Sequence, residues 1–281
     1  MNGRFWRDRT FLVLAVGLLA IFILRTLLAV RYQLPRFNDL FTAIAVVGSL
    51  GVLLTKYRSL HTGDWVAAFA LGGVVGAGMV FATLFTPYPV FGVVRDNVGQ
   101  AFVRGICTTL AALGGLAVTR QGGPVQFRVA NGEWRKLGAS LAVGLLIGLP
   151  LAILNVYALQ LTQGKPIAWQ PPLAALLDAL QPGIVEEVIY RFALLGLFWL
   201  ALRKSSPGQA AWRSGLLAML AHTFMHYDDL FLQAPLVALG MGLALAVIWG
   251  LPLTLLALRR DLDSAMAFHW LQDATRFLAG Y

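Results

Sequence analysis

Glu186 and Glu187 are adjacent carboxylates with Arg191 shortly after, set among Ile184, Val185, Val188, Ile189, Phe192, Ala193, Leu194 and Leu195. In a bilayer core such groups cost roughly 2.5–3.5 kcal/mol each on insertion scales, so by default they mark a functional site. On a helix Glu187 and Arg191 stand at i and i+4, share a face and can pair. Glu186 lies about 100° further round the helix and is left without that partner. One carboxylate is then held by a charge, while the other is free to take and give protons, as a general base must.

Two later apolar runs carry further titratable residues. In the stretch from Ser214 to Asp229, His222 and His226 are i and i+4; in the stretch from Ala267 to Asp273, His269 and Asp273 repeat that spacing. The fourth histidine, His61, lies in a basic connection and reads as a solvated surface residue. The first half of the chain offers only Arg25 and Arg104 within apolar runs, and such residues snorkel or pair.

The elements that must position these groups are membrane helices. The chain has 281 residues, 58% of them hydrophobic and 12% charged, and a mean hydropathy of +0.72, outside the soluble range. The apolar runs are long and unalternating, which excludes a barrel and implies an all-α, polytopic transmembrane bundle of about eight or nine helices. Nine spans are expected, at 10–30, 38–55, 65–86, 98–119, 137–160, 174–202, 208–227, 234–258 and 262–279. Turn chemistry separates them at Leu34-Pro35, Thr86-Pro87-Tyr88-Pro89, Gln121-Gly122-Gly123-Pro124, Gly164-Lys165-Pro166 and Ser206-Pro207-Gly208. Arg4, Arg7 and Arg9 precede a first apolar run too long for a signal peptide, so it reads as a retained helix.

The net charge is +9, but the basic residues fall mostly in short connections and mainly on alternate ones. That is the positive-inside pattern; it places the N-terminus in the cytoplasm and gives no reason to expect a nucleic-acid partner. The single cysteine, Cys107, excludes an internal disulfide framework or thiolate metal cluster.

Three local features bear on packing. Alternation around Asn131-Gly132 in the polar connection 119–136 predicts a small β-hairpin over 125–134. Gly72, Gly76, Gly144 and Gly148 form small-xxx-small faces suited to close helix contact. Pro182-Gly183 is expected to break the sixth span just before the glutamates.

Taken in order, the polar motifs resemble those of the CAAX protease and bacteriocin-processing (CPBP) family of intramembrane proteases, whose pattern is E-E-x-x-x-R, then F-x-x-x-H, then H-x-x-x-N or D. Glu186-Glu187-x-x-x-Arg191 and His269-x-x-x-Asp273 are intact, whereas the middle motif reads Ala218-x-x-x-His222, with alanine in place of phenylalanine. Segment alignment favours His222 over His226. The resemblance covers roughly 170–279, so the chain divides into N-terminal membrane helices (1–165) and a catalytic helical core (166–281), packed as one membrane domain.

The resemblance implies an intramembrane endopeptidase of a bacterial cytoplasmic membrane. Its substrate would be a membrane-associated or lipid-modified protein or peptide. Glu186 would activate water with His222, Glu187 would be held by Arg191, and His269 with Asp273 would polarise the carbonyl or contact the oxyanion. Two mechanisms stay open: a metal-free glutamic one, which is preferred, and a zinc site formed by Glu186, His222 and His269. The competing readings are a proton- or cation-coupled transporter and an inactive membrane scaffold of the same fold. A transporter would call for a second broken helix in the first half, and none is seen.

Overall fold

The computed structural model describes residues 8–32, 34–82 and 87–281. Arg4, Arg7 and residues 83–86, with the end of the expected third span and Thr86 of its turn, lie outside them. The regular elements among the described residues are helices: α1 Arg9–Ala29, α2 Phe37–Lys56, α3 Thr62–Met79, α4 Asn97–Thr119, α5 Trp134–Gln163, α6 Pro172–Asp178, α7 Leu195–Leu202, α8 Ala210–Phe224, α9 Asp228–Gln233, α10 Pro235–Leu245, α11 Leu251–Arg259 and α12 Leu262–Leu278. A π-helical segment, Gln181–Leu194, joins α6 to α7, and a shorter one, Ala246–Gly250, joins α10 to α11.

Among the described residues, five stretches are long and apolar enough to cross a bilayer: Arg9–Ala29, Phe37–Ser59, Asn97–Thr119, Trp134–Gln163 and Pro235–Arg259. The spans expected at 174–202, 208–227 and 262–279 are also helical, but shorter, more polar or assembled from pieces. Polarity is distributed as lipid demands. Val13, Leu24, Leu146, Leu161 and Leu236 lie on the outer surface, while Glu187 and Arg191 are 0% exposed. Hydrocarbon tails solvate leucine as well as the interior does, so the outer face carries no penalty.

The segment Gln181–Leu194 is the axis of the bundle; α2, α4, α8 and α12 all pack on it. Glycines set how closely they approach. A Cβ on Gly105 of α4 would lie 2.9 Å from the carbonyl oxygen of Gly72 on α3, and one on Gly148 of α5 would lie 3.3 Å from that of Phe268 on α12. Gln272 of α12 donates to the Gly148 carbonyl at 2.7 Å, fixing α12 along α5. On its other side a Cβ on Gly183 would come within 2.5 Å of the Trp270 Cα. Helix α12 is therefore wedged between two glycine faces.

One local expectation is corrected and another refined. Residues 125–134 form no hairpin: 125–127 are irregular, 128–132 are turns, and Trp134 already begins α5. The alternation is real, since Val125, Phe127 and Ala130 are buried. The backbone groups a partner strand would use are spent on the start of α12, however: Leu262 N–H donates to the Gln126 carbonyl at 2.8 Å, and Arg128 N–H to Asp263 at 2.7 Å. Asp261 caps α12 by accepting from Ser264 N–H and also accepts from Ser140 (2.6 Å) and the Arg128 Nε (3.1 Å). Burial pushes its carboxyl up, but these donors outweigh it and hold it below the usual carboxylate range.

Near Pro182-Gly183 the sixth span divides as expected, α6 ending at Asp178, but the helix that follows from Gln181 is not an α-helix. Proline lacks an N–H and would leave a gap in an α-helical ladder. Here the chain winds instead into a π-helix, and Gly183 N–H still donates to the Ala179 carbonyl at 2.9 Å.

Candidate active site

The wide π turn decides which side chains meet. With i→i+5 bonding, neighbours five residues apart come into register as well as those four apart. Gln181 therefore reaches Glu186, its Nε2 donating to Oε1 at 3.3 Å, while Arg191 reaches Glu187, Nη1 to Oε1 at 2.9 Å. All four residues are buried.

Helix α8 brings His222 against this segment, with Nε2 2.8 Å from Glu186 Oε2 and Nδ1 2.6 Å from Arg191 Nη1. A guanidinium has no acceptor, so Nδ1 must be the accepting nitrogen and the ring proton must sit on Nε2. His222 is thereby fixed as a donor to the Glu186 carboxylate. The Tyr190 ring lies 4.7 Å from the His222 ring and packs it in place.

Helix α12 brings His269 to the other glutamate. Its Nδ1 lies 2.7 Å from Glu187 Oε1, and its Nε2 lies 3.1 Å from Asp273 Oδ2. Both ring nitrogens face carboxylates, so both donate. Asp273 is also paired with Arg276, one turn further along α12. Three carboxylates (Glu186, Glu187, Asp273) are thus matched by Arg191, Arg276 and a doubly protonated His269, which is what makes so many buried ionisable groups tolerable.

Glu186, His222, His269, Glu187, Arg191 and Asp273 consequently lie in one connected cluster drawn from three elements. His226, carried by the 3₁₀ turn that continues α8 after Phe224, keeps the expected neighbourhood with His222, ring against ring, but has no hydrogen bond to Glu186 among the described residues. Its ring centroid is 5.2 Å from that of His222, and it borders the cavity.

Beside the cluster is a cavity of about 540 Å³ whose walls include Gln181, Glu186, His226, Asp39, Arg104 and Arg276. Sequence reasoning missed Gln181, Asp39 and Arg104 here. Gln181 is invisible at α-helical spacing because it meets Glu186 only at i+5. Asp39 on α2 and Arg104 on α4 attract one another, and a buried arginine in an apolar run was the available signal for such a partner. Arg25 of α1 is answered in the same way, by Asp228 at 2.7 Å.

Glu186, His222 and His269 each offer a ligand atom within 4.8 Å of the others, a spacing that suits a metal ion. The same atoms are engaged within the protein here, His269 Nδ1 with Glu187 and Nε2 with Asp273, and His222 Nε2 with Glu186.

Comparison with curated proteins and with solved structures finds no match for the chain. Residues 168–275 match the family model described as type II CAAX prenyl endopeptidase Rce1-like. That range begins ahead of α6, ends within α12 and contains every residue of the cluster.

Proposed function

We propose that this protein is an intramembrane endopeptidase that hydrolyses a membrane-associated or lipid-modified protein or peptide, with water activated by Glu186. The observation that carries the reading is the 2.8 Å contact between Glu186 and His222 at the wall of a polar cavity inside a lipid-facing bundle. At the family level the match supports peptidase activity; the glutamate mechanism is our own reading.

Glu186 takes a proton from water as it attacks the scissile carbonyl and returns that proton to the departing amine. His222 steadies the carboxylate from one side. Arg191 holds both Glu187 and the His222 ring, so its part is to keep the base aimed. His269, charged and with both N–H groups held by Glu187 and Asp273, contributes positive charge beside the developing oxyanion. The positive-inside bias supports an integral protein with its N-terminus in the cytoplasm, which for a bacterial chain means the cytoplasmic membrane.

Glu186→Gln keeps the shape of the side chain and removes its basicity. Cleavage is expected to fall by at least about 10²-fold, the lower end of what a general base contributes, with protein still recovered from the membrane. Full activity in that variant would refute the mechanism. The donor roles of His222 and His269 support chemistry without a metal. Purified protein is therefore expected to hold less than one zinc per chain and to keep its activity after chelation; a stoichiometric ion whose removal stops turnover would reverse this.

A further inference from the structure

Gln181 is 1% exposed, and its Nε2 is spent on Glu186. Its Oε1 is equally buried and accepts no hydrogen bond among the described residues, although the side chain borders the same cavity as Glu186. A buried amide oxygen left without a donor is costly, and native structures fill such positions with a partner or an ordered water. The space beside it, about 540 Å³ with polar walls, can hold water. The neighbouring carboxylate has room for one more donor. Glu186 Oε2 accepts from His222 and Oε1 from Gln181, while an ionised carboxylate offers about four acceptor positions.

We propose that Gln181 and Glu186 hold the attacking water between them, so that Gln181 is a water-orienting residue as well as a neighbour of the base. This rests on the peptidase reading above and adds to it the residue that aims the nucleophile. One O–H of the water donates to Glu186 and the other to Gln181 Oε1, which leaves an oxygen lone pair for the scissile carbonyl. As the new C–O bond forms, the first proton passes to Glu186. The second O–H stays on the tetrahedral carbon and keeps its bond to Gln181. Glu186 then gives its proton to the amide nitrogen, the C–N bond breaks, and a carboxylic acid and a free amine leave.

Two measurements test this. An experimental structure of the full-length protein in lipid, at a resolution that shows ordered solvent, should place a water within hydrogen-bond distance of both Gln181 Oε1 and the Glu186 carboxylate. Finding that oxygen bonded to a protein group instead, with no water at the carboxylate, would overturn the proposal. The second is kinetic and uses a quenched peptide whose farnesylated cysteine stands three residues from a free C-terminus. Gln181→Met keeps the volume but offers no acceptor. We expect kcat to fall roughly 30- to 100-fold, as misplaced nucleophiles do, with KM within about threefold. The melting temperature should hold, because the side-chain volume is kept and the acceptor that is removed serves only the water. A kcat within about threefold of the parent, or a kcat that falls together with the melting temperature, would assign Gln181 to support of the fold alone. The solvent measurement does not depend on cleavage. A bridged water in a protein whose Glu186→Gln variant still cleaves would therefore sink the glutamate mechanism and leave the water site standing.

Discussion

Arg191 organises the charges at the scale of single residues. One of its nitrogens, Nη1, donates both to Glu187 and to His222. Because arginine cannot accept, that contact also fixes which His222 nitrogen carries the proton. The consequence separates the two histidines of the α8 region. His222→Asn should cost roughly 10²–10⁴-fold in cleavage rate, whereas His226→Asn, which removes a ring from the cavity wall and no contact to Glu186, should stay within about tenfold of the parent. Cleavage rates of the two purified variants check this, and the reverse order would move the assignment to His226. The pairs Glu187–Arg191 and His269–Asp273 were legible in sequence because an i,i+4 relation is local and survives any arrangement of the helices. The contact from His222 to Glu186 spans 36 positions, and only a shared motif order hinted at it.

Among elements, α12 is the one whose placement matters most, because it delivers His269 to Glu187. Two faces hold it, and one of them is Gly183 against Trp270, the residue next to His269. Gly183→Ala puts a methyl within 2.5 Å of the Trp270 Cα, and backbone there cannot rotate aside. Overpacking of this kind costs about 1–3 kcal/mol. The variant should melt at a lower temperature and lose activity as His269 is displaced. Parent-like values of both would mean that this approach does not position the helix. The dipeptide Pro182-Gly183 marked where the span divides but not the kind of helix that follows. The proline lies in the first turn of the π-helical segment, where its missing N–H is no loss, and the glycine that follows serves a neighbouring helix. The region 125–134 failed similarly. Its inward alternation at Val125 and Phe127 was correct, yet a helix N-terminus claimed the backbone bonds that a hairpin needs.

For the whole molecule, the expected topology gives a direct test. The polar connection around Lys136 and the one around Lys165 flank a single long apolar helix, α5, so they must emerge on opposite faces. In a Cys107→Ser background, Lys136→Cys should resist an impermeant maleimide added to intact cells, whereas Lys165→Cys should react. The opposite pattern would invert the bundle and, with it, the side from which the cavity is reached. The N-terminal half is more than a frame. Asp39 of α2 and Arg104 of α4 line the cavity, and Arg25 of α1 ties itself to Asp228 at the end that follows α8. By itself the sequence determined the membrane class, the helical architecture and the identity of the ionisable set, because apolar length and misplaced charge are properties of each segment alone. Only the tertiary structure decided that Glu186 takes His222 and Gln181 as partners, that His226 packs on the His222 ring and not on Glu186, and that helices from the first half close the cavity. Those outcomes depend on helix register and on how near glycine faces allow helices to come, neither of which any one segment encodes.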